Sequence, residues 1–191
     1  MPQTLWLMRH GETEWSRSGA HTGRTDLPLT AEGRRNATAM ARWVAGRPFA
    51  LVLTSPLSRA RDTCALAGCA ARAEVDPNLC EWDYGDYEGR STPDIQKGRP
   101  GWFLWRDGAP HGETIQQVAS RADSVIARAL ALEGDVALFA HGHILRILTA
   151  RWLEQPPEMG RLFALGTASV STLGYERETR VITRWNLSAS L

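Results

Sequence analysis

The chain has 191 residues, 43% of them hydrophobic and 23% charged, with a formal net charge of +1. That is ordinary for one soluble globular domain spanning 1–191. Without a block of like charge it has no footprint for nucleic acid or a membrane surface, which leaves a small anionic molecule held by a few local cations. The three cysteines, Cys64, Cys69 and Cys80, are odd in number and form no CxxC pair, so they read as thiols in a reducing compartment. With no basic-then-apolar start and no apolar run long enough to cross a bilayer, the expected address is the cytoplasm.

In chain order, Thr4 to Met8 is a short apolar run that stops at Arg9-His10-Gly11-Glu12, the pattern of a buried strand ending where polar side chains begin. A polar stretch with Gly19, Gly23 and Pro28 reads as loop. A helix of about 15 residues is expected from Thr30, with Ala37, Met40, Ala41 and Val44 on one face and Gly46 and Pro48 as its end. Leu51 to Thr54 repeats the strand pattern. Ser55-Pro56 then reads as an N-cap followed by proline at the first helical position, opening a helix to about Ala67. Val75 belongs to a further short strand. Residues 92–111, rich in Gly, Pro and Trp, read as a loop or lid in which Trp102 and Trp105 are candidates to gate a pocket. The clearest helix runs from Glu113 to Leu130, with an apolar stripe from Ile115 onward. A third apolar strand, Asp135 to Ala140, ends at His141-Gly142-His143, and a helix from about Ile144 to Leu153 follows it. Residues 168–175 and 180–186 predict an antiparallel hairpin.

Strands alternating with helices predict a three-layer α/β/α sandwich around a mostly parallel sheet. Ligands of such sheets sit outside the carboxyl ends of the strands. Three strands here end in Arg9-His10, in Ser55 through Arg59, and in His141, so residues far apart in sequence are expected to meet at one edge. Arginine suits a phosphoryl group through its paired donors and permanent charge. Histidine can attack phosphorus when one ring nitrogen is unprotonated and the other is held by an acceptor. A leaving alcohol needs a proton, and Glu81, between Cys80 and Trp82, sits in an apolar setting of the kind that keeps a carboxyl protonated. The competing reading of His10, His141 and His143 as metal ligands lacks an accompanying carboxylate cluster. No metal and no cofactor is called for.

The segments Arg9-His10-Gly11-Glu12-Thr13, Ser55 through Thr63 and Ala140 to His143, in that order, resemble the histidine phosphatase superfamily, which includes the phosphoglycerate mutases. The resemblance implies a phosphoglycerate mutase-like fold with His10 as the nucleophile that becomes phosphorylated. It also implies that Arg9, Arg59 and His141 hold the phosphoryl oxygens, and that Glu81 is general acid and then base. The motifs Trp15-Ser16, His21 to Gly23, Asp26 to Thr30, Glu81 to Gly89, Trp105 to Gly108 and His141 to Arg146 are similar to the branch that holds fungal sedoheptulose-bisphosphatase and small bacterial acid phosphatases. By that similarity Ser16, Thr22, Gly23 and Gly142 line the substrate pocket, and Tyr84 and Arg146 reach the distal part of the substrate. The implied activity is metal-independent hydrolysis of small phosphate esters, a sugar phosphate or bisphosphate or a broader range. A homodimer is left open. A mutase would carry an extra basic segment between the acid and the second histidine, and 82–140 holds no Arg-Arg pair. A binding protein on the same scaffold would ordinarily have lost a catalytic residue.

Overall fold

In a computed structural model, residues 3–188 are described. The ends of the expected 1–191 domain lie outside the described residues. Six strands form one sheet: β1 (Leu5–Arg9), β2 (Leu51–Thr54), β3 (Ala73–Val75), β4 (Val136–Ala140), β5 (Ser169–Glu176) and β6 (Thr179–Ser188), in the order β3-β2-β4-β1-β5-β6. The pairs β3·β2, β2·β4 and β4·β1 are parallel, and β5 and β6 add an antiparallel edge.

Strand alternation builds the layers. Leu5, Leu7, Leu51, Leu53, Val136 and Leu138 point to one face, where they meet Val118, Ala122 and Val125 of one helix and Ile144 and Leu148 of another. Their neighbours Trp6, Met8, Val52, Ala137 and Phe139 point to the other face and pack on Met40, Val44, Cys64 and Ala67. The central strands are thus covered on both sides, as a parallel sheet requires. The helices are α1 (Glu14–Ser18), α2 (Ala31–Ala39), α3 (Ala41–Val44), α4 (Ser58–Leu66), α5 (Thr92–Gly98), α6 (Leu104–Asp107), α7 (Ile115–Leu130) and α8 (Gly142–Trp152). Among the described residues no helix is long and apolar enough to cross a membrane.

Three local expectations are corrected. The helix expected from Thr30 breaks at Met40, whose N–H is shared between the Asn36 and Ala37 carbonyls at 3.2 Å each, a tightened turn that sinks the fully buried Met40 into the core. Ser55-Pro56 does not cap α4. The helix starts at Ser58, where the Asp26 carboxylate accepts from both the Ser58 N–H and its hydroxyl at 2.8 Å, leaving Ser55 for another partner. Residues 92–111 are not a plain loop. Ser91 caps α5 by accepting from the Asp94 N–H, and Trp102 and Trp105 are only 2% and 6% exposed, so both are packed wall rather than a surface gate.

Register sets the site. Arg9 lies opposite Ala140, the His10 N–H donates to the Ala140 carbonyl at 3.0 Å, and the Ser55 N–H donates to that of Phe139 at 2.9 Å. The carboxyl ends of β1, β4 and β2 therefore stand side by side, with β4 in the middle.

Candidate active site

His10 is buried, and its Nδ1 lies 2.7 Å from the Gly11 carbonyl. A carbonyl can only accept, so Nδ1 carries the proton and Nε2 keeps a free lone pair. Burial, and next the charges of Arg9 and Arg59, hold the His10 pKa well below the usual histidine range, so the ring is neutral at neutral pH. Gly11 is glycine for space: a Cβ there would meet the Gly33 carbonyl oxygen at 2.4 Å. Its N–H donates to the Thr63 hydroxyl at 3.0 Å, which in turn donates to the Arg59 carbonyl at 2.7 Å.

The ring of His141 is centred 5.1 Å from that of His10. Arg59 is fully buried and donates from Nε to His141 Nδ1 at 3.2 Å. The rest of its fork clamps a loop, donating to the Thr25 and Gly23 carbonyls at 2.8 Å and to that of Thr22 at 3.2 Å. Glu88 grips the same loop from its N–H side, accepting from Gly23 at 2.8 Å and Thr25 at 3.1 Å. Arg9 donates to the Leu165 carbonyl, while its buried Nε has no partner. Its guanidinium lies against Gly142, where a Cβ would come within 3.4 Å of Cζ.

Glu81 is 5% exposed, but its setting is not the apolar one expected from Cys80 and Trp82. Its carboxylate accepts from the N–H groups of Trp82 and Ile144 at 2.9 Å and of His143 at 3.0 Å, at the N-terminus of α8. Arg121 of α7 braces the turn before it, donating to the Asn78 carbonyl at 2.7 Å and that of Cys80 at 2.8 Å. Tyr84 is buried, and its hydroxyl lies 2.6 Å from His143 Nδ1. Burial, and then the Glu81 charge, push the Tyr84 phenol well above its usual pKa, so it keeps its proton. The Arg146 guanidinium sits 4.6 Å over the Trp105 ring and donates to the Gly160 and Arg161 carbonyls at 3.1 Å each.

A cavity of about 180 Å³ joins Arg9, His10, Ser16, Thr22, Glu81, Tyr84, Gly142 and Arg146 in one wall. Arg59 and His141 are fully buried and are not on this wall, and the His141 ring is centred 5.1 Å from that of His10. Gly23 is not on the wall, since its N–H is held by Glu88 and its carbonyl by Arg59. A larger cavity of about 600 Å³ lies behind Trp82 and Trp105, and its wall contains none of the expected catalytic residues. Chemistry, not volume, marks the site. Several groups that hold it escaped the sequence: Ser55, Thr63, Glu88, Arg121, and His21, whose ring is centred 4.8 Å from that of Tyr84 at a tilt of 46° and which lines the cavity. Of these, His21, Ser55, Thr63 and Glu88 had a signal, since they stand inside motif segments, and Thr63 also stands one helical turn after Arg59. Among the described residues no cluster of three or more His, Cys, Asp or Glu is arranged to hold a metal ion.

The chain is similar to known proteins over most of its length. The chain is 43% identical to an acid phosphatase of Mycobacterium tuberculosis over 182 residues, covering 92% of this chain and 88% of that one. It is 40% identical to sedoheptulose 1,7-bisphosphatase of Saccharomyces cerevisiae over 179 residues, 76% of this chain and 66% of that one. The solved structure of an open-reading-frame product of Mycobacterium tuberculosis superposes with a TM-score of 0.93 at 40% identity, over 98% of each chain. The family model described as histidine phosphatase superfamily (branch 1) matches residues 5–188, and the chain belongs to that superfamily.

Proposed function

We propose that the chain, acting as one domain over 1–191, is a phosphomonoesterase that works through a phosphohistidine on His10 and needs no metal or cofactor. The observation that carries this reading is the 2.7 Å contact from His10 Nδ1 to the Gly11 carbonyl, which leaves Nε2 unprotonated in a cavity that also holds Arg9 and Glu81. In the first step Nε2 forms a bond to phosphorus, the ester P–O bond breaks, and the Glu81 carboxyl delivers its proton to the departing alcohol. In the second step Glu81 takes a proton from water, the oxygen bonds to phosphorus, and the N–P bond breaks to release inorganic phosphate. Arg9, Arg59 and His141 stabilise the charge on the phosphoryl oxygens, and positioning with electrostatics supplies most of the rate.

The small cavity and the acid phosphatase and sugar-bisphosphatase relatives support a small phosphorylated metabolite as substrate, with Ser16, Thr22 and Gly142 near the phosphoryl group and Tyr84 and Arg146 beyond it. The test is phosphate release from a panel of phosphate esters with a chelator present, for the native chain and His10→Ala. Chelator-resistant release that the substitution abolishes is expected. Release that the chelator stops, or that survives His10→Ala, contradicts the reading.

A further inference from the structure

Ser55 has no assigned part in the chemistry, yet it is fully buried at the carboxyl end of β2, and its hydroxyl lies 2.8 Å from His141 Nε2. The resting state of that contact follows from its other side. Arg59 Nε can only donate, so His141 Nδ1, 3.2 Å away, must accept, and the imidazole proton is on Nε2 and given to Ser55. The same hydroxyl accepts from the Leu57 N–H at 3.3 Å and lies within hydrogen-bond reach of the Cys80 thiol, a weak acceptor from which its proton can turn away.

This arrangement is wrong for holding a phosphoryl oxygen, which needs a donor. Protonating Nδ1 in addition would create a cation in a fully buried place. Burial first, and then the charge of Arg59 beside it, hold the His141 pKa well below the usual range. A hydroxyl is the side-chain partner that resolves this, because it both accepts and donates.

We propose that Ser55 is a positioning residue for the phosphoryl transfer: its hydroxyl turns from accepting the Nε2 proton of His141 to donating its own proton to Nε2, so that neutral His141 offers Nδ1–H to the phosphoryl oxygen. The oxygen enters between Arg59 Nε–H and Nδ1, replaces their contact, and accepts from both. One proton leaves Nε2 for water and one is taken up at Nδ1, with no net change in charge.

The proposal rests on the phosphatase reading, and one experiment separates the two. Native chain labelled with 15N-histidine is followed by two-bond 1H–15N correlation before and after orthovanadate. The expected result is that His10 responds and His141 passes from Nε2–H to Nδ1–H. If His10 responds while His141 keeps Nε2–H alone, or becomes protonated on both nitrogens, the switch is refuted and the phosphatase reading stands. If neither histidine responds, the phosphatase reading itself falls and takes the switch with it. Kinetics give a second arm. Ser55→Ala is expected to lower kcat by about 10- to 100-fold with little change in KM, the scale of losing a group that orients a reacting one, while Ser55→Thr recovers most of the loss. Unchanged kcat in a folded Ser55→Ala chain overturns the proposal.

Discussion

The two ends of the cavity are built in different ways. At the phosphoryl end, Arg9, His10 and His141 stand on or just beyond strand ends whose register is fixed by neighbouring strands, and Arg59 is the second residue of α4, in the first turn after the end of β2. At the distal end, Tyr84, His143 and Arg146 are held by one another, by Trp105 and by the carbonyls of Gly160 and Arg161. Backbone hydrogen bonds locate the first group. Side-chain packing between non-adjacent elements locates the second. On the proposed reading, the chemistry sits on the part of the fold that the sheet register fixes, whereas recognition of the rest of the substrate sits on contacts that can change without disturbing the sheet.

Substitutions at the phosphoryl end should therefore lower kcat, and those at the distal end should raise KM. The largest effect is expected for His10→Ala, a loss of about 10⁴-fold or more in kcat/KM, read by steady-state phosphate release. Residual turnover within tenfold of native would move the nucleophile elsewhere. Next comes Glu81→Gln, with a loss on the order of 10²- to 10⁴-fold on alkyl phosphates and a much smaller one on p-nitrophenyl phosphate, whose leaving group needs no proton. Equal losses on both esters would mean that Glu81 only shapes the site. Tyr84→Phe removes the hydroxyl on His143 and should raise KM about fivefold, the scale of one hydrogen bond, with kcat nearly unchanged. A fall in kcat instead would erase the distinction between the two ends.

The smallest effect is on stability, and its sign can be worked out. The folded-state pKa values of His10, His141 and His143 are all held well below the unfolded value of about 6.5. Below pH 6.5 the unfolded chain therefore binds more protons than the folded one, so stability is full above that pH and declines as the pH falls. Urea unfolding at pH 7.5 and 5.5 checks this, with the lower midpoint expected at pH 5.5. The same lowering keeps His10 nucleophilic in mild acid, so the acidic limb of kcat/KM should lie below pH 6.5.

The same contrast explains what could be read from the sequence. Short continuous apolar runs, each halted by charged or polar residues, expose β1, β2 and β4 and the convergence of Arg9, His10, Arg59 and His141 without knowledge of any long-range contact. The hairpin of β5 and β6 and the stripe of α7 were equally plain, because their signals are local. Hidden were α5 and α6, whose Gly, Pro and Trp content reads as loop although Ser91 caps the first and buried tryptophans anchor the second. The surroundings of Glu81 were also hidden. Its neighbours in sequence are apolar, but it is the N-terminus of α8, some 60 residues later, that brings two of its three backbone donors. Ser55 misled in the same way: a serine before proline is a common cap, and the position of His141 across the strand ends, which the sequence does not display, gives its hydroxyl a further partner besides the Leu57 N–H.

The central claim is the covalent intermediate. Rapid acid-free quenching during turnover of a phosphate ester, followed by mass spectrometry of the intact chain and its peptides, should find one acid-labile phosphoryl group on the peptide containing His10, absent from His10→Ala. A chain that releases phosphate at full rate with no phosphorylated His10 peptide at any quench time, even when burst kinetics show an intermediate accumulating, would contradict it.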